Sequence, residues 1–274
     1  MHDEILSTIK TYPTSHLVYS SLSAFADLNA GELPGTWFVA ALGTLGHSPD
    51  AIRQTLFRLT RRQALIARQE GRSKYYRCSP STRAEIDVGL DKIFLDPLGH
   101  WDGNWTLVHY AFADAERVQR DQLRDVLKVM GFAPLGIGLF IHPGNQTELL
   151  ERPIQDLDMN SHVQIFRSKR QHAGDDPAFI KSLWDLEGLS VRYHAFTEQF
   201  EKLTRSKDTM TDDMCFALRF MVVIEFLRVA WDDPGLPPEL LPGDWQGDRA
   251  RLLARKLYRQ WLPRARDHAA SFLS

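Results

Sequence analysis

Cysteine is nearly absent. Cys78 and Cys215 are the only two in 274 residues, and no CxxC or Cys/His cluster accompanies them. A disulfide framework and a structural zinc site are both excluded on spacing. Long apolar runs are missing too. The most apolar stretch, residues 214–231, is interrupted by Arg219, Glu225 and Arg228, so it falls short of the ~20 apolar residues a membrane span needs. No basic segment followed by an apolar one opens the chain, so no secretory leader is read. A reduced, cytoplasmic protein with no membrane partner is the expectation. Charge of one sign is lacking: 33 basic residues meet 35 acidic ones, a net charge of −2, so the surface as a whole is no basic coat.

Enzyme signatures are also wanting. Gly136-Ile137-Gly138 runs into Leu139-Phe140-Ile141, without the third glycine of a dinucleotide fingerprint. There is no GxSxG, P-loop or HExxH, and no two of the ten histidines stand at i, i+4. Asp232-Asp233 before Pro234 reads as a helix-ending turn rather than a metal pair. No cofactor and no metal are expected.

What remains is ordinary for a folded protein, with 43% hydrophobic and 25% charged residues. The length suggests two or three domains. Trp37, Phe38, Ala41, Leu42 and Leu45 form one helical stripe, broken at Gly46-His47. Ser48-Pro49-Asp50 then gives a helix start: an N-cap oxygen, Pro where no N–H is missed, and an acid in the first turn. The helix that follows buries Ile52, Leu56 and Leu59. Its other faces carry Arg53, Gln54, Phe57, Arg58, Arg61 and Arg62. Two strand-like runs, residues 64–68 and 74–78, flank a Gly-containing hairpin signal at 69–73. A helix over 83–94 follows, with Ile86, Leu90, Ile93 and Phe94 on one face.

Residues 105–112 read as a buried strand, 116–130 as a helix facing inward with Leu123, Val126, Leu127 and Met130, and 136–141 and 163–167 as two further strands. Strands alternating with a helix suggest a small ferredoxin-like unit. Breaks are placed at Asp96-Pro97-Leu98-Gly99 and Asp175-Asp176-Pro177. Beyond the second, Phe179, Leu183, Trp184 and Leu186 are assigned to one helix and Tyr193, Phe196 and Phe200 to the next. Residues 214–231 form a central buried helix, 232–242 a proline-rich break, and 249–261 a last amphipathic helix. The fold class is therefore α+β, divided as 1–95, 96–174 and 175–274.

The uneven charge points to a partner. Between residues 51 and 77 eight basic residues face one acid, Glu70, so this segment carries +7 while the rest of the chain carries −9. Phosphates are attracted to the one and repelled by the other. Helix, sharp turn, capped basic helix and basic hairpin are the parts of a winged helix-turn-helix, whose second helix enters the major groove. Arg53, Gln54 and Arg58 are candidate base readers. Arg61, Arg62, Arg72 and Lys74 are candidate phosphate contacts. A solvated basic face is the plainer alternative, but it explains neither the cap nor the hairpin.

The sequence resembles the PaaX family of bacterial repressors. Residues 51–59, Ala-Ile-Arg-Gln-Thr-Leu-Phe-Arg-Leu, are similar to the family's recognition helix, and Gly71-Arg72-Ser73-Lys74-Tyr75-Tyr76 to its wing. Trp101-Asp102-Gly103-Asn104-Trp105 is similar to the lead-in of its middle domain. The stretch from Asp233-Pro234-Gly235-Leu236-Pro237-Pro238 to Trp245 is similar to its C-terminal signature. Phe57 departs from the small polar residue the family pattern implies, so no operator sequence carries over. The resemblance implies a Cas2-type ferredoxin-like middle domain and a helical C-terminal domain. It also implies repression of phenylacetate-type catabolic genes and release from double-stranded operator DNA by an acyl-CoA effector such as phenylacetyl-CoA.

Arg219, within an otherwise apolar stretch, is read either as half of a core salt bridge or a side chain whose head snorkels out, or as an anion site for that effector; Trp184 and Tyr193, with Phe196 and Trp231, are candidate pocket aromatics. Glu225 and Arg228 are expected to pair at i, i+3. A homodimer on a palindromic operator is expected. Two rival functions stand beside the repressor. One is a metal-dependent nuclease in which Asp114, after the first middle-domain strand, would hold the ion, although a lone acid there is more simply a helix cap. The other is a non-catalytic scaffold built on the C-terminal helices.

Overall fold

A computed structural model describes residues 2–94, 99–171, 176–204 and 210–273. The breaks read at 96–98 and at 175 lie outside the described residues. The chain forms two compact units, neither of them contiguous. One comprises residues 1–94, 193–228 and 248–274; the other comprises 95–192 and 229–247.

The first unit opens with helices α1 (His2–Ile9) and α2 (Thr14–Phe25), then strand β1 (Leu33–Pro34), none of which the residue pattern had suggested. Helices α3 (Gly35–Thr44) and α4 (Pro49–Arg61), strands β2 (Leu65–Glu70) and β3 (Ser73–Cys78), and helix α5 (Pro80–Phe94) follow. The three strands form one sheet in the order β1-β3-β2. Register pairs Glu70 with Ser73, so the hairpin turn is only two residues, shorter than the 69–73 segment read from composition. α5 starts three residues earlier than expected, because Ser79 Oγ accepts the Thr82 N–H at 3.3 Å and caps it.

The aromatic core of this unit is drawn from distant parts of the chain. Phe25 and Trp37 meet Phe216, with ring centroids 5.5 and 6.5 Å away, and the Trp37 indole donates to the Ala269 carbonyl at 2.8 Å. Phe216 lies on α10 (Asp212–Ala230) and Ala269 on α11 (Gly247–Ala270), so the two C-terminal helices complete the core of the N-terminal module. α11 continues through Pro263 and is longer than the amphipathic 249–261.

In the second unit, strands β4 (Trp105–Tyr110), β5 (Ala133–Gly136), β6 (Leu139–Pro143) and β7 (Val163–Ser168) form an antiparallel sheet in the order β5-β6-β4-β7. Helices α6 (Arg117–Val129) and α7 (Thr147–Asp156) are the crossovers. This is the ferredoxin-like βαββαβ path. Val108, Phe140, Leu123, Leu127, Leu150 and Ile154 share its core.

Three elements correct the sequence reading. Residues 136–141 are a hairpin rather than one strand: β5 ends at Gly136, the fully exposed Ile137 forms the turn, and β6 continues through His142-Pro143. Leu183 and Leu186 lie on different helices, α8 (Asp176–Leu183) and α9 (Leu186–Thr204). Between them Asp185 Oδ1 accepts the Gly188 N–H at 2.9 Å, so a new N-terminus is capped there. Finally, β4 stops at Tyr110, two residues short of the strand read to 112.

One glycine holds this unit together. Gly131 has φ +83°, and a β-carbon there would lie 2.4 Å from the Pro234 carbonyl oxygen, so only glycine allows that approach.

Candidate nucleic-acid interface

α4 is built to present its far face. Gly46, at φ +87°, makes the turn out of α3 that a side chain would strain. Ser48 Oγ then accepts the Ala51 N–H at 3.2 Å, and Pro49 takes the first helical position. Ile52, Leu56 and Leu59 are buried, each contributing about 1.5–3 kcal/mol, and Thr55 joins them. The 3.6-residue period turns Arg53, Gln54, Phe57, Arg58 and Arg61 away from that stripe, and all five are exposed.

The helix ends without a glycine. Gln63 takes φ +58°, with its N–H on the Thr60 carbonyl and the Ala64 N–H on the Leu59 carbonyl, both at 3.0 Å. Nothing in the residue pattern signals this cap. Arg62, just before it, lines an open cavity of about 510 Å³ with Thr60, Gln63, Ser79 and Ser81.

The eight basic residues of this module divide into two groups. Arg53 pairs with Asp50 at 3.1 Å. Arg68 donates to Glu32 at 2.9 Å and to Glu70 at 2.7 Å, and Arg77 is 3.8 Å from Glu32. Glu70 first, then Glu32, hold the Arg68 guanidinium above its ordinary pKa. Glu32 precedes the region that was read as basic, which is why the sequence did not reveal that two of its arginines are claimed. The other five, Arg58, Arg61, Arg62, Arg72 and Lys74, are exposed, and among the described residues none makes an ion pair. Concentrated, uncompensated positive charge on a capped helix and a hairpin can engage a polyanion.

The effector candidates fall in different units. Trp184 belongs to the second unit, where its indole donates to the Gly131 carbonyl at 3.1 Å. Tyr193 and Arg219 belong to the first. Tyr193 is fully buried, 5.9 Å from the Phe226 ring, and Phe196 packs on Phe200 at 4.6 Å. Arg219 is 3% exposed. Its guanidinium lies 3.3 Å from the centre of the Tyr258 ring, and its Nε has no hydrogen-bond partner. Burial lowers its pKa to about 10, with Tyr258 acting in the opposite direction. No carboxylate pairs with it among the described residues. Glu225 and Arg228 do pair, at 3.0 Å, and Tyr12 adds a hydroxyl donated to Glu225 at 2.5 Å.

Asp114 is exposed and begins a 3₁₀ turn, Asp114–Glu116, in which Glu116 caps the Ala113 N–H at 2.8 Å. Asp232 pairs with Arg192 at 2.7 Å, and Asp233 accepts the Gly235 N–H at 2.8 Å, a turn contact. Among the described residues no group of three His, Cys, Asp or Glu is placed to hold a metal ion, and no helix is long and apolar enough to cross a membrane. Burial pushes the Cys78 thiol up to about 11, away from thiolate chemistry at neutral pH.

Comparison with known proteins bears on this arrangement. The PaaX protein central Cas2-like domain matches residues 98–180, the span of the ferredoxin-like sheet. The PaaX-like protein C-terminal domain matches residues 184–271, the span of α9 to α11. Transcriptional repressor PaaX of Escherichia coli (strain K12) is 26% identical over 245 residues, covering 86% of this chain and 76% of that protein. The solved structure of an uncharacterized protein from Mycobacterium tuberculosis, Rv0674, shares the fold with a TM-score of 0.58 at 23% identity, covering 85% of this chain and 90% of that one. With both characteristic domains present in order and the alignment spanning most of the chain, the protein belongs to the PaaX family.

Proposed function

We propose that this chain is a transcriptional repressor that binds double-stranded operator DNA. Residues 35–78 would act as a winged helix-turn-helix, with α4 in the major groove and the β2–β3 hairpin as the wing. One observation carries the reading: among the described residues, five exposed cations on α4, at its C-terminal end and on the wing have no acidic partner. Family membership supports it, since the curated relative is a transcriptional repressor. Arg53, Gln54 and Arg58 are placed as base readers, and Arg61, Arg62, Arg72 and Lys74 as phosphate contacts. No catalytic step belongs to this reading.

The finer proposal is that the repressed genes serve aromatic-acid (phenylacetate-type) catabolism and that an acyl-CoA such as phenylacetyl-CoA lifts repression. Of the effector candidates, Arg219 has the strongest physical reason to meet an anion: it is a buried cation with no acidic partner among the described residues. Tyr193 and Trp184 are already used in packing and a backbone hydrogen bond. A homodimer would double the cationic face and impose a palindromic operator.

Mobility shift with the full chain tests the proposal, using duplex DNA from immediately upstream of its own gene, with and without phenylacetyl-CoA. A discrete complex that survives excess random duplex and dissolves on adding the thioester is expected. Equal competition by random DNA would overturn the repressor reading. A specific complex indifferent to every acyl-CoA would overturn the effector alone. Footprinting of one asymmetric half-site by a monomer would overturn the dimer.

A further inference from the structure

Phe57 has no role in the fold. It is 61% exposed, on the side of α4 opposite the buried Ile52, Leu56 and Leu59. Among the described residues its ring has one aromatic-type partner, the Arg61 guanidinium 5.9 Å from its centre. Helix propensity does not explain it either, since phenylalanine is a weaker helix former than alanine, lysine or glutamate. Its neighbours on that face are Arg53 and Gln54 one turn before it, and Arg58 and Arg61 after it, all exposed. A large apolar ring in the middle of a cationic face suits an anionic surface that carries one apolar spot.

The major groove of DNA has such a spot. Each base edge there presents donors, acceptors or both, and thymine alone adds a methyl group, at C5. We infer that Phe57 reads a thymine methyl group in the operator, fixing a T at one position while the flanking Arg and Gln side chains hydrogen-bond to adjacent base edges. This inference rests on the proposed DNA-reading role of α4. It adds a specificity determinant of a different chemistry, apolar rather than hydrogen-bonding. The Arg61 guanidinium beside the ring would then be held toward the phosphate backbone.

The test removes the methyl without touching Watson–Crick pairing. A duplex is selected by the full-length chain from a random-sequence library, and each thymine in it is replaced in turn by deoxyuridine. One buried methyl is worth about 0.8 kcal/mol, or about fourfold in affinity. The wild-type protein is expected to lose about that factor at one thymine per half-site. Phe57→Ala should bind the thymine duplex more weakly and show no further loss with uracil there. Phe57→Leu, which keeps an apolar contact, should keep part of the discrimination. Because Phe57 is exposed, both variants should melt with the wild type, which checks that they fold. The inference is overturned if no single uracil weakens wild-type binding, or if Phe57→Ala remains as sensitive to uracil as the wild type. Failure of the selection to enrich any sequence would overturn the DNA-reading role itself, a result distinct from enrichment without methyl dependence.

Discussion

The division of the basic residues into claimed and unclaimed sets predicts how DNA binding responds to salt. Each phosphate neutralised by a protein cation releases counterions, and log K falls against log[salt] with a slope of about −0.9 per contact. Counting all eight basic residues between 51 and 77 would give a slope of about −7 per module. The structure removes three of them: Arg53 is paired with Asp50, and Arg68 and Arg77 stand against Glu32. Of the remaining five, Arg58 is assigned to a base edge, and the four phosphate contacts give about −3.6. Raising salt from about 50 to 200 mM should then weaken binding to random duplex roughly 150-fold per module. Fluorescence anisotropy on a labelled duplex over a salt series measures it. Arg62→Met should make the slope shallower by about 0.9. Removing Arg68 together with Glu70, as R68M/E70Q, keeps the net charge of the module and should leave the slope unchanged. If the paired removal flattens the slope as much as Arg62→Met does, the ion pairs do not withhold Arg68 from DNA and the division fails.

Other expectations follow from the same residues. Arg53→Ala and Arg58→Ala should each weaken binding to a selected site by about 1–3 kcal/mol while changing random-duplex binding less; equal losses on both would reduce these side chains to phosphate contacts. Arg219→Met removes a buried cation that has no acidic partner among the described residues. Thermal melting should therefore show stability held or raised, and a loss of several kcal/mol would mean that the stack on Tyr258 outweighs desolvation. His142 is 1% exposed, with its Nε2–H on the Pro234 carbonyl at 3.3 Å, and burial lowers its pKa to about 4. Its unfolded value is about 6.5. The unfolded chain therefore takes up the proton first, and roughly 3 kcal/mol of stability, intact above pH ~6.5, is lost as the pH falls towards ~4. Denaturation curves of wild type and His142→Asn over that window should diverge by this amount, and parallel curves would show that the imidazole is not buried.

Much of the module from α3 to β3 was legible because its signals are local. Ser48-Pro49 caps α4 where the residue types said it would, and the stripe Ile52, Leu56, Leu59 is buried. The ferredoxin-like sheet followed from strand-like runs, although its second strand was misplaced because Gly136 and Leu139 are ends of two strands joined through Ile137. Apolar spacing also runs without interruption from Phe179 to Leu186, and so it hid the break that Asp185 caps. Strand β1, only two residues long, has no period to detect. The claimed arginines were invisible for another reason. Glu32 is 36 residues from Arg68, and only tertiary structure puts them within 2.9 Å.

The core of the first unit bears on how a signal could reach α3 and α4, the helices proposed to read DNA. α3 is seated on C-terminal residues, with the Trp37 indole on the Ala269 carbonyl at 2.8 Å and both Phe25 and Trp37 against Phe216. Arg219 is one turn beyond Phe216 on the same helix. A movement of α10 that gives an anion access to Arg219 would therefore disturb the packing under α3. Such a switch has a calculable requirement. To lower operator affinity 100-fold, the effector must favour the non-binding arrangement by about 2.7 kcal/mol over the binding one. Desolvation that Arg219 already bears in the closed state reduces what the effector must supply, because pairing the cation relieves a cost the resting fold carries. An arginine buried here with no acidic partner among the described residues is thus a weakness of the resting fold and, for the same reason, a place where a small anion would change it.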